Sequence, residues 1–132
     1  MQALIRELGY KDFEQLIELI LSRSGWERIS KQSGGVQEGI DLDVEIPAIS
    51  ERAFIQVKSA ADQKTLDQYI RRFLRQKDTY SRMIFAVHSP KGPLRASQKN
   101  VHIWTGDDIA RLVVRLGLGE SVLKMRGHFR VR

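Results

Sequence analysis

The chain has 132 residues, 42% of them hydrophobic and 29% charged, with no cysteine and a formal net charge of +6. Those proportions are those of a folded globular chain rather than a disordered or fibrous one, and without cysteine neither disulfides nor thiolate metal sites are possible. Apolar runs fall far short of the roughly 18 residues of a membrane span, and Met1 opens no signal core. The expectation is one cytoplasmic domain over residues 1–132 with no membrane partner.

Residues 2–8 predict a short helical turn closed by Gly9. A second helix is expected from an N-cap at Asp12, backed by Gln15, with Phe13, Leu16, Ile17, Ile20 and Leu21 at the spacing of one buried face and Gly25 ending it. A strand over Trp26–Ile29 and a glycine-rich loop over Ser33–Gly39 follow. Residues 40–46, Ile-Asp-Leu-Asp-Val-Glu-Ile, alternate apolar and acidic without a fault, the period-two signature of a strand with one packed face. After a loop at Pro47–Arg52, residues 53–58 predict a second strand with Ala53, Ile55 and Val57 on one face and Phe54, Gln56 and Lys58 on the other.

A symmetric hairpin about that loop pairs Leu42 with Val57, Val44 with Ile55 and Asp41 with Lys58, leaving Asp43 against Gln56. A slip of one residue would drive acids into the core, so the pattern defines the register to within steps of two. A helix over residues 62–77 carries an apolar stripe of Leu66, Tyr69, Ile70, Phe73 and Leu74. A buried strand at Met83–His88, a basic loop at Ser89–Asn100, a strand at Val101–Trp104 and a capped helix after Thr105 complete the chain. These elements predict an α/β fold.

Charge divides the chain. Residues 1–58 carry seven Lys and Arg against ten Asp and Glu, whereas residues 59–132 carry fifteen against six. A positive half of that size calls for a polyanion, and Arg71, Arg72, Arg75, Lys91, Arg95 and Lys99 are the candidate phosphate contacts. The acidic half supplies different chemistry. Phosphodiester hydrolysis needs an activated water and relief of the charge that builds on phosphorus, and Mg²⁺ provides much of both from one or two carboxylates. Asp41, the carbonyl of Gln56 and the ammonium of Lys58 suit that demand, with Asp43 an alternative ligand on the same face. The plainer account of these residues is a solvated hairpin face with a cross-strand ion pair. Gly34 and Gly39 match half of a P-loop, but Ile40-Asp41 stands where Lys-Ser would bind phosphate, and His88, His102 and His128 lack zinc spacing.

Gly39-Ile40-Asp41, fourteen intervening residues and Gln56-Val57-Lys58 resemble the PD-(D/E)xK nuclease signature in its Mrr form, where glutamine replaces the middle acid. Glu14 is similar to the family's helical glutamate, and Trp104-Thr105-Gly106 before a last apolar helix is similar to Mrr endings. Ile40 stands where many relatives have proline. The resemblance spans residues 12–118 and implies a restriction endonuclease-like three-layer core, with a mixed sheet flanked by helices in the order α-β-β-β-α-β-β-α. It further implies a Mg²⁺-dependent (or Mn²⁺-dependent) DNA endonuclease. Asp41 would be the principal metal ligand, Gln56 a second ligand or water holder, Lys58 the catalytic lysine and Glu14 an outer metal ligand. Homodimerisation is expected by analogy, so that each DNA strand meets an active site. The alternatives are a Holliday junction resolvase, a catalytically silent DNA-binding module of the same fold and a protein-interaction domain.

Overall fold

A computed structural model describes residues 1–33 and 40–130. Helices α1 (Gln2–Arg6) and α2 (Tyr10–Arg23) lead into strands β1 (Glu27–Ser33) and β2 (Ile40–Ile46), a 3-10 turn at Pro47–Ile49, and β3 (Glu51–Ala61). Then come α3 (Gln63–Arg75), β4 (Arg82–Pro90), β5 (Val101–Trp104), α4 (Gly106–Arg115) and α5 (Gly119–Arg130). The expected series of elements runs from α2 to α4. Helix α5, beyond the last expected element, adds Val122 to the core. The glycine-rich loop, apart from Ser33, and the side chain of His128 lie outside the described residues.

Strand order is β1-β2-β3-β4-β5, antiparallel from β1 to β3 and parallel from β3 to β5. Each face of this mixed sheet is covered. Leu42, Val44, Ala53, Ile55, Val57, Ile84 and Ala86 pack with α1, α2, α4 and α5 on one side. Phe54, Phe85, Met83 and Val87 pack with Leu66, Ile70 and Phe73 of α3 on the other. The three-layer α/β core is therefore present, with β3 central and β2 interior to the sheet.

Strand β1 runs Glu27–Ser33 rather than Trp26–Ile29, and three further features differ from expectation. Helix α2 starts at Tyr10 with Gly9 as its N-cap, which leaves Asp12 in the first turn, where a carboxylate favours the positive helix end. Its end is as foreseen: Gly25 takes a positive φ of 92°, a conformation that glycine adopts without steric cost. Leu74 leaves the stripe of α3 and is 38% exposed. The third difference concerns the hairpin. Pro47–Ile49 forms a 3-10 turn, and Ser50 in the left-handed region (φ 52°) closes the connection within four residues, so Glu51 and Arg52 join the strand. Asp41 accordingly faces Gln56, and Asp43 faces Phe54. The register differs by two residues from the symmetric estimate, and the face assignments survive because two is the side-chain period.

Candidate active site

Alternation along β2 buries Leu42 and Val44 under α2 and turns Asp41 and Asp43 toward α3. Phe54, Gln56 and Lys58 of β3 point to the same side. Asp41 and Gln56 are directly opposed, and the ammonium of Lys58, one pleat further on, is close enough for its charge to favour ionised Asp41. The structure thus brings together Asp41, Gln56 and Lys58, although the direct cross-strand partner of Asp41 is the amide and not the lysine.

The electrostatics of Asp41 are contested. Burial raises its carboxyl pKa above the ordinary value, while first Arg72 and then Lys58 pull it back. Arg72 reaches over from α3, placing Nη1 3.3 Å from Oδ2 of Asp41 and its guanidinium 4.9 Å from the ring centroid of Phe54. The other two cations of this face are seated likewise. Lys58 lies over Tyr69 at 5.7 Å and Arg52 over Tyr80 at 5.4 Å, and the rings of Phe54, Tyr69, Tyr80 and Phe85 form one connected cluster. Asp43 accepts from Arg52 through Oδ2 and faces a ring, while its Oδ1 is buried without a hydrogen-bond partner.

Gln56 is 2% exposed, and its Oε1 has no hydrogen-bond partner. An unsatisfied buried acceptor costs about 1–3 kcal/mol, and an amide oxygen beside a carboxylate is a donor pair suited to a cation or a water. Hard divalent ions select such oxygens. The donor set of Asp41 and Gln56 fits Mg²⁺ or Mn²⁺, and among the described residues no cluster of three His, Cys, Asp or Glu side chains adds to it. A small cleft of about 80 Å³ opens beside Asp41 and is lined by Ser30, Asp41, Asp43, Phe54, Arg72 and Tyr80, with neither Gln56 nor Lys58 in its wall. A larger cleft of about 620 Å³ lies on the far side of the sheet against α2 and β1, where Glu18 and Arg28 pair with each other. Among the described residues that line it, no carboxylate stands beside a lysine.

Glu14 is not brought against Asp41. Helix α2 occupies the opposite layer, and the Glu14 carboxylate lies beside the hydroxyl of Tyr10, whose pKa is raised by burial first and by that negative charge second. The Tyr10 hydroxyl donates to the carbonyl of Val57 at 2.9 Å, between the two β3 site residues. The expected metal set therefore meets in two members, with the third one hydroxyl away from the backbone that carries them. His88 lies apart from this set: its Nε2 is 2.8 Å from the carbonyl oxygen of Leu8, and its ring meets Phe13 edge-on.

Arg71, Arg75, Lys91, Arg95 and Lys99 are exposed. Arg71 and Arg95 flank a cleft of about 230 Å³ between α3 and the 91–100 loop. That loop is pinned by Gln63, whose Nε2 donates to the carbonyl of Arg95 and whose Oε1 accepts from its N–H, both at 2.8 Å. Arg72, grouped with these residues by sequence, instead holds Asp41. Its role was hidden because helical spacing distinguishes a packed face from a free one without revealing what lies opposite.

A restriction endonuclease family, the Mrr catalytic domain, matches residues 5–113. The chain belongs to this family. The match takes in Glu14, Asp41, Gln56, Lys58 and Arg72 and runs from α1 into α4. No curated protein sequence matches the chain. Among solved structures, the apo form of EndoMS superposes with a TM-score of 0.41 at 14% identity, over 79% of this chain and 42% of that one. The Mrr-family chain described here therefore spans less than half the length of that structure.

Proposed function

We propose that residues 1–132 act as one Mg²⁺-dependent DNA endonuclease domain whose site is Asp41, Gln56 and Lys58. The observation that carries this reading is the buried, unpartnered Gln56 Oε1 directly across from the Asp41 carboxylate, in a chain of the Mrr restriction endonuclease family. Asp41 and Gln56 Oε1 would hold the ion. When bound, Mg²⁺ supplies polarisation of a phosphoryl oxygen and a lowered pKa for water. Lys58 offers a fixed positive charge beside them, aimed at the negative charge that develops as the phosphodiester is attacked. Its ammonium is held over the Tyr69 ring, so little reorganisation is needed at the moment of reaction.

Glu14 is the outermost member in this proposal. Its carboxylate lies beside the Tyr10 hydroxyl, whose single proton is donated to the Val57 carbonyl at the centre of the Gln-Val-Lys segment. DNA is the substrate, and the exposed Arg71, Arg75, Lys91, Arg95 and Lys99 give its phosphates a surface on α3 and the loop beside it, in the layer that also covers Asp41. A homodimer would let both strands be cut. Light scattering at micromolar concentration gives its mass.

The deciding assay incubates supercoiled plasmid with Mg²⁺ or Mn²⁺. Asp41→Ala and Lys58→Ala should each lose nicking by about 100-fold or more, the scale expected when a group stabilising the transition state is removed. Equal nicking by wild type and both variants would eliminate the site.

A further inference from the structure

The cation that Asp41 meets in the fold is Arg72. Its contact at 3.3 Å is single and long for a charge-assisted hydrogen bond, and a planar guanidinium could have engaged both carboxylate oxygens. Much of its seating comes from the Phe54 face at 4.9 Å. The Arg72 side chain is 42% exposed against 26% for Asp41, so the guanidinium has more solvent to move into than the carboxylate. It also springs from the basic helix, beside Arg71 and three residues before Arg75.

These features bear on the ion-binding reading above, on which the inference rests. A divalent ion shared by Asp41 and Gln56 would sit beside a resident monocation bound to the same carboxylate, and like charges there are mutually unfavourable. Asp43 already holds Arg52 through Oδ2, and its remaining oxygen, Oδ1, is buried. The accessible alternative is outward, toward a DNA phosphate.

We propose that Arg72 is a built-in counter-ion that competes with the divalent cation for Asp41 and, once displaced, pivots on Phe54 to engage a substrate phosphate. Metal and DNA are then coupled through one side chain. Reciprocity of binding free energies requires each to tighten the other by the same factor.

Calorimetric titration of Mn²⁺ into DNA-free protein at pH 8 tests the first half, where Asp41→Ala, Arg72→Gln and Arg72→Lys are compared with wild type. Asp41→Ala should abolish the binding. Arg72→Gln should tighten it by about tenfold, and Arg72→Lys, with the charge restored, should return it toward wild type. The second half is read from DNA affinity with and without Ca²⁺ in place of the catalytic ion. Wild type should show enhancement by Ca²⁺, and Arg72→Gln should lose most of it. If Asp41→Ala leaves Mn²⁺ binding unchanged, the assignment of the metal site is wrong. If Asp41→Ala abolishes binding but Arg72→Gln neither tightens Mn²⁺ nor loses the Ca²⁺ enhancement, the site stands and the counter-ion role is refuted.

Discussion

At Gln56 the proposed site predicts opposite effects on stability and on activity. Its Oε1 is buried without a partner, so the fold carries an unmet desolvation cost there. An apolar side chain of similar length removes that cost, because an absent acceptor cannot be unsatisfied. Gln56→Met should unfold at the same temperature as wild type or higher, with a gain of up to about 1–3 kcal/mol, while plasmid nicking falls by about 100-fold or more. Thermal unfolding beside the nicking assay checks both, and a melting temperature several degrees lower would mean that the amide is structural. Which acid faces Gln56 was open in the sequence, since Asp41 and Asp43 share a face and composition. The choice depends on a turn of four residues rather than six, which the 3-10 turn at Pro47–Ile49 and the left-handed Ser50 close together.

At the scale of elements, α3 determines how the site is roofed. Asp62 caps it by accepting from the Thr65 N–H at 2.9 Å, and this hydrogen bond lowers the Asp62 pKa below its ordinary value. The sign follows directly. A carboxyl with a lower pKa in the folded state than in the unfolded state stabilises the protein above its unfolded pKa, and that contribution fades as pH falls through the folded one. Asparagine caps nearly as well as aspartate and does not titrate. Wild type and Asp62→Asn should therefore melt alike near pH 7, and wild type should lose ground to the variant as the buffer is taken from about pH 5 to pH 2. Parallel melting curves across that range would show that the cap charge contributes nothing. Period and capping signals announced α3 and α4 in the sequence to within two residues. Helix α5 was missed because Leu118 and Val122 join the core from a segment otherwise full of charge.

For the whole molecule, the division between an acidic first half and a basic second half becomes an arrangement in space. Arg71 of α3 and Arg95 of the adjoining loop belong to the layer that covers Asp41, and Gln63 fixes that loop with two hydrogen bonds. DNA affinity should fall steeply with salt, and the log–log slope should shrink by about one for each phosphate contact removed. Arg71→Ala combined with Arg95→Ala should thus flatten the slope by about two without abolishing binding, as measured by fluorescence anisotropy across a salt series. An unchanged slope would place the nucleic acid elsewhere. Composition made the charge asymmetry plain, but which cations are spare could not be read from it. Arg52 and Arg72 are committed to Asp43 and Asp41 by contacts that join residues 9 and 31 positions apart.

The four-residue connection between β2 and β3 also bears on how the protein comes to exist. Asp41 and Gln56 are separated by so little chain that closing the loop between them costs little entropy, whereas β4 and β5 must wait for a crossover through α3. Short-range pairings of this kind are kinetically favoured over distant ones. The carboxylate and amide can therefore become neighbours while the basic half is still unordered, so a nascent chain could possess its reactive centre before it has the means to grip a nucleic acid.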